Sequence, residues 1–143
     1  MNSLLTEKIT AAKAAGRLGL IPFLPGGYPD KAGFWDALAA LDAGGADIIE
    51  IGVPFSDPVA DGPVVEAASL QALEQGVNLT WILSGLAEQR SRLSAGIVLM
   101  GYFNPVLQYG LERFAEDAAK AGVNGLILAD VPFEEAGEIR ALL

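Results

Sequence analysis

Neither cysteine nor histidine occurs among the 143 residues of this chain. Without cysteine there are no disulfides, no thiolate nucleophile and no thiolate metal site, which fits a reducing compartment. Without histidine, acid–base chemistry falls to carboxylates, tyrosine, lysine or water, and a zinc site loses its usual nitrogen ligands. Basic residues are scarce as well: nine Lys and Arg stand against 18 Asp and Glu, for a net charge of −9. That balance argues against nucleic acid or an anionic membrane as the main partner. No apolar run reaches the roughly 18 residues of a membrane span. Met1 to Lys8 lacks the basic-then-apolar order of a signal peptide, so a cytoplasmic protein is expected. Neither Gly-x-x-x-x-Gly-Lys-Ser/Thr nor Gly-x-Gly-x-x-Gly is present, and the glycine pairs read as turns and helix stops.

What the chain has in quantity is apolar residues. A hydrophobic fraction of 52% against 19% charged residues describes a folded protein with one domain-sized core. Ser3 opens a helix over 3–15, with Leu5, Ile9 and Ala12 on one face and Gly16 at its end. Residues 18–24 read as a short buried strand, and 25–29 as a loop. Asp30 caps a helix over 31–43 that carries Phe34, Trp35, Leu38 and Leu41 inward. Ala46 to Gly52 is a second strand. Pro63 suits the first turn of a helix over 63–75, and Thr80 is expected to cap another over 81–92. A third strand spans 96–101, a loop follows, and Leu111 to Ala121 is helical. Gly125 to Asp130 is a fourth strand, and a last helix starts near Phe133 and still runs at Leu143.

The order is one helix followed by four βα units, with an extra helix in the second. The strands are continuous apolar runs, the pattern of strands covered by helices on both faces, so the sheet should be parallel. Ala43 to Asp47 and Ala121 to Gly125 echo each other ahead of two strands, which supports a repeat. Four such units fit an open doubly wound sheet or half of a (β/α)₈ barrel, and periodicity does not choose between them. The apolar, uncapped end at Ala141-Leu142-Leu143 reads as a truncation.

One carboxylate stands out. Glu50 lies inside the apolar strand, near its C-terminal end, where parallel α/β folds keep their chemistry. A buried strand rarely accepts an ionisable residue unless that residue is paired or working. Ile48, Glu50 and Gly52 share one face, and Gly52 is expected to leave open space beside Glu50. The competing role is a structural carboxylate holding a lysine or a backbone amide. Asp57 and Asp61 follow in a loop stiffened by Pro54, Pro58 and Pro63; alone, each is ordinary turn chemistry. After the third strand, Tyr102 either lines a pocket or covers the core, and Asn104 reads as a turn residue before Pro105. Asp130 reads as the cap of the next helix.

Glu50 to Pro63, read Glu-Ile-Gly-Val-Pro-Phe-Ser-Asp-Pro-Val-Ala-Asp-Gly-Pro, closely resembles the signature of the tryptophan synthase alpha subunit family. Leu20 to Asp30 resembles that family's first strand and loop, Met100 to Gly110 its third, and Ala129 to Glu135 its fourth. The resemblance implies a (β/α)₈ TIM barrel of which this chain, 1–143, is a single N-terminal half-barrel segment. It implies a lyase that cleaves indole-3-glycerol phosphate to indole and glyceraldehyde 3-phosphate in tryptophan biosynthesis, with no metal or organic cofactor. By the same resemblance, Glu50 is the general acid–base that protonates the indole ring carbon losing its side chain. Asp61 hydrogen-bonds the indole N–H and stabilises charge on the ring. Phe23, Met100, Tyr102 and Ala129 lie around the indole. Asp57 and Pro58 face a pyridoxal-phosphate-dependent beta subunit in a heterotetramer. Three departures stand out: Pro25-Gly26-Gly27 stiffens the first loop, Glu66 adds a charge near the second, and the half that carries the family's phosphate-binding loops is absent. A half barrel has two raw sheet edges, so self-association is also expected. The alternatives are a non-catalytic interaction module for a beta subunit or for self-association and, further off, an unrelated open-sheet ligand-binding domain.

Overall fold

Three helices start where a capping side chain takes a free backbone N–H group in the computed structural model, which describes residues 3–143. Helix α1 (Leu4–Ala14) begins at Ser3, whose hydroxyl accepts from the Thr6 N–H. Helix α2 (Lys31–Ala43) begins at Asp30, which accepts from Ala32 and Gly33. Helix α3 (Pro63–Glu74) has proline at its first position. Helix α4 (Leu79–Gln89) starts earlier than expected, because the Asn78 side chain accepts from the Trp81 N–H at 2.9 Å. Thr80 therefore lies inside the helix, and a 3₁₀ turn over Arg90–Arg92 completes the segment.

Four strands follow one another across a single parallel sheet: β1 (Phe23–Pro25), β2 (Ile48–Gly52), β3 (Gly96–Gly101) and β4 (Gly125–Leu128). The strand expected over 18–24 is regular only at its end. The Leu20 and Pro22 carbonyls still accept from Asp47 and Glu50 at 2.9 Å. Pro22 has no N–H to give, and Leu18 is 91% exposed.

The expectation of helices on both faces is corrected. Ile49, Ile51, Ile97 and Leu99 are fully buried against Phe34, Leu38, Ile82, Leu86 and Phe114 of the helices on one side. The opposite face carries Phe23, Glu50, Val98 and Gly125 in one row across all four strands. Helix α1 reaches its N-terminal end, where Leu5 fills the space a side chain at Gly96 or Gly125 would need, and Val65 and Ser69 of α3 reach its C-terminal end. Strands in unbroken sequence order with helices on one side form half a barrel. A doubly wound sheet would reverse its order and cover both faces. The strands read as continuously apolar because their second face looks at a barrel interior. Among the described residues, no helix is long and apolar enough to cross a membrane.

Two further differences share one cause. The expected loop after β3 contains helix α5 (Phe103–Tyr109), followed by α6 (Leu111–Lys120). Pro105 sits in the first turn of α5, where no helical N–H is needed. The Phe103 N–H is taken by the Asp130 carboxylate at 2.9 Å, 27 residues away. Asp130 thus caps α5 from the end of β4, not the helix that follows it. That following segment is a 3₁₀ turn over Phe133–Glu135 and then α7 (Gly137–Leu142).

The repeated sequence has a structural counterpart. Gly45 and Gly122, at φ +93° and +72°, turn the chain out of α2 and α6. Asp47 and Asn124 then each clasp the neighbouring strand twice. Asp47 donates its N–H to the Leu20 carbonyl at 2.9 Å, and its carboxylate accepts the Leu20 N–H at 2.8 Å. Asn124 does the same with Ile97, at 2.7 and 2.9 Å. Asp47 also holds Arg17 through two bonds of 2.7 Å. The Arg17 guanidinium, with help from the Leu20 N–H, keeps the Asp47 carboxyl well below the usual carboxylate range.

Because folding lowers the Asp47 pKa, its stabilisation is complete above the unfolded carboxylate value of about 4. It is lost as pH falls below that value, where the unfolded chain takes up a proton that the folded chain refuses. Asp47→Asn retains the acceptor for Leu20, as Asn124 does for Ile97, but loses the ion pair. Urea unfolding should show the variant less stable at pH 7, with the gap narrowing as pH falls below 4. A gap independent of pH would contradict the role of the pair.

Candidate active site

The site is built toward the C-terminal ends of the strands, on the face opposite the main helix layer. Glu50 stands mid-strand in β2, half-buried between Phe23 of β1 and Val98 of β3. Its side chain has no hydrogen bond or ion pair among the described residues. A carboxylate held only to anchor a lysine or an amide would show that partner. Glu50 is available to act on something that enters.

The next layer is narrower than the sequence suggests. Gly52 does not leave the opening expected beside Glu50. A Cβ there would lie 2.7 Å from the Phe23 ring, so the glycine makes room for that phenyl group to lean across. Phe23 remains 38% exposed on its other side. Above it, Asp61, Met100 and Tyr102 line one small cavity together with Phe23 and Gly52. Met100 and Tyr102 follow Val98 on the same face of β3 by simple alternation. Asp61 arrives from the loop after β2, whose turn is closed by its own N–H on the Pro58 carbonyl at 3.1 Å.

Tyr102 is almost fully buried, at 3% exposure, and its hydroxyl accepts the Ala60 N–H at 2.9 Å. Burial, foremost, pushes the phenol above its ordinary pKa, and the nearby Asp61 charge adds to that. Phe55 packs on the ring at 5.3 Å between centroids. Tyr102 therefore covers the site rather than the helix-side core.

The other sequence-derived residues divide. Ala129, just past β4, is exposed and lies outside the small cavity. Asp57 is exposed, accepts the Ser56 hydroxyl at 2.6 Å, and precedes a half-buried Pro58. Asn104 is exposed within α5. Sequence reasoning missed Val53, Val65, Ser69 and Gly101, which line the same cavity. For α3 a signal existed: Val65, Ser69 and Ala72 recur at four and three residues, the period of one helix face. Ser69, a buried polar residue at 6% exposure, lies on that face.

A larger cleft, of about 680 Å³, does not contain the carboxylates. It runs along the free edge of β1 against α3, between Phe23, Leu24 and Tyr28 on one side and Val64, Val65 and Gln71 on the other. Its size reflects an unpaired strand edge; Asp61 lines the smaller cavity, and Glu50 lies on the same sheet face outside it. The two spaces meet at Phe23 and Val65.

Comparison with known proteins follows the same lines. The family model described as tryptophan synthase alpha chain matches residues 9–143. The alpha chain of Maridesulfovibrio salexigens is 69% identical over 139 residues, covering 97% of this chain and 54% of the relative. That of Solidesulfovibrio magneticus is 64% identical over 141 residues, covering 99% and 55%. Among solved structures, the alpha subunit from Legionella pneumophila superposes with a TM-score of 0.94 at 34% identity, over 99% of this chain and 55% of that one. Tryptophan synthase from M. tuberculosis, in an aminoacrylate- and BRD0059-bound form, gives 0.93 at 41%, over 99% and 57%. The chain spans about half the length of the curated relatives it matches. Motif, half-barrel topology and these matches converge on one conclusion, that the chain belongs to the tryptophan synthase alpha chain family.

Proposed function

We propose that this chain supplies the catalytic carboxylates of a lyase that cleaves indole-3-glycerol phosphate to indole and glyceraldehyde 3-phosphate. The observation that carries the reading is Glu50: an unpaired carboxylate in an apolar strand, on the open face, with Asp61 in the layer above. Glu50 as an acid delivers a proton to the ring carbon that bears the side chain. The ring then carries positive charge shared with its nitrogen, and Asp61 accepts that N–H and stabilises the charge. As the carbon–carbon bond breaks, its electron pair returns to the ring and the side-chain hydroxyl gives up its proton to Glu50. The hydroxyl carbon leaves as an aldehyde, and the carboxyl is restored. Phe23, Met100 and Tyr102 form the wall against which the ring lies, with Ala129 at its exposed margin. On this reading the chain acts in the cytoplasm, and the phosphate is held by residues outside these 143.

The loop that presents Asp57 and Pro58 is the proposed contact with a pyridoxal-phosphate-dependent beta subunit. Asp57 is exposed and Pro58 belongs to the same turn as Asp61, so a partner bound there would act on the site through that turn. General acid–base groups of this kind contribute about 10²–10⁴-fold. Indole release, assayed with a beta subunit present, is expected to fall by that order in Glu50→Gln. Equal release by the variant and the unaltered chain would contradict the assignment.

A second reading is favoured by a separate observation. The edges of β1 and β4 carry no strand neighbour, and Phe23 and Ile127 are 38% and 40% exposed on the open face. Such a surface promotes association with a second copy, and the chain would then act as an interaction module. Sedimentation of the 143-residue chain is expected to show dimers or larger species. A monodisperse monomer that melts cooperatively would contradict it. Saturable activation of a beta subunit without indole release would favour this reading over catalysis.

A further inference from the structure

The hydroxyl of Tyr102 is committed to the protein. Its oxygen accepts the Ala60 N–H, 42 residues away in sequence, at 2.9 Å. Ala60 is the third residue of the turn closed by the Asp61 N–H on the Pro58 carbonyl. At the other end of the same loop, Phe55 packs on the Tyr102 ring. One side chain therefore grips both arms of the loop, through its ring at Phe55 and through its oxygen at Ala60. Its own base is equally fixed: the next residue, Phe103, gives its N–H to Asp130 at the end of β4. The ends of three consecutive strands are thereby linked, β4 to β3 through Asp130 and β3 to the β2 loop through Tyr102. A phenol oxygen that accepts one bond still has a proton to donate, and Asp61 is the charged group beside it.

We infer that Tyr102 is a positioning residue, which fixes the Pro58–Asp61 turn through the Ala60 N–H so that the Asp61 carboxylate faces the cavity. The functional consequence rests on the reading of Asp61 as the group that meets the substrate's ring N–H. The tie itself does not, and it is present before any ligand binds. Substrate contact from Tyr102 then falls to its ring face, and the hydroxyl acts through Asp61.

Tyr102→Phe leaves the ring and removes only the oxygen, so it separates these roles. In the ligand-free chain, amide exchange at Ala60 is expected to quicken by about fivefold, the effect of one lost hydrogen bond, with Leu99 in β3 unchanged. Asp61→Asn supplies a readout that mere packing would not move. The ring-carbon titration of Tyr102, followed by NMR, should fall toward the ordinary tyrosine value when the neighbouring charge is removed. In turn, Tyr102→Phe should shift the Asp61 carboxyl carbon resonance. Unchanged exchange at Ala60, or a Tyr102 titration indifferent to Asp61→Asn, would overturn the inference. Titration with indole then separates it from the functional reading. If both ties are observed but indole perturbs neither residue, positioning stands and the substrate assignment fails. If Tyr102→Phe weakens indole binding while Ala60 exchange stays unchanged, Tyr102 is a direct contact and positioning is wrong.

Discussion

The register between β1 and β2 is the constraint on which the rest depends, and Asp47 sets it. Its backbone and its carboxylate clasp Leu20 from both sides, and Arg17 closes over the carboxylate with two bonds. Asp47 is itself buried, so an unpaired charge there would be costly, and the ion pair and the strand register stand or fall together. Three residues further along lies Glu50. A slip of one residue would turn every side chain of β2 to the other face, sending Glu50 into the helix-side core and Ile51 into the open. The carboxylate proposed to move protons is held in place by one that must never take a proton up.

Other features of the site follow from that register. Phe23 lies level with Glu50, so its ring can lean over Gly52, where a side chain would collide. Val98 and Met100 fall on the same face, and the next alternation delivers Tyr102 to the loop that carries Asp61. The two carboxylates thus come from different kinds of structure. Glu50 is fixed by a strand in mid-sheet, and Asp61 by a turn that depends on a tyrosine from the neighbouring unit. A rigid first group and a loop-borne second one give a site whose two halves can be disturbed separately.

Much of this was legible in the chain. Capping residues at 3 and 30, a proline opening the helix at 63, helix-stopping glycines and unbroken apolar strands marked the order of elements. The resemblance at 50–63 identified the family. What the sequence did not display was contact over distance. Asp130 is an ordinary cap in local reading, yet its partner lies 27 residues back. The short helix after β3 was hidden because that same distant carboxylate supplies its start. Continuous apolar strands suggested cover by helices on both faces, since one apolar pattern serves a helix layer and a barrel interior alike. Gly52 read as empty space because nothing nearby in sequence says that Phe23 occupies it.

The central claim is that the register presents Glu50 on the open face and hides Ile51. A chain without native cysteine allows this to be read directly, since an introduced thiol is the only one present. Glu50→Cys and Ile51→Cys variants, each first shown to melt cooperatively, would be exposed to a thiol-specific maleimide under native conditions. Glu50→Cys should react in the folded state, whereas Ile51→Cys should be protected until denaturant is added. Protection at position 50 with free labelling at 51 would mean that β2 is turned over, and the site described would not exist.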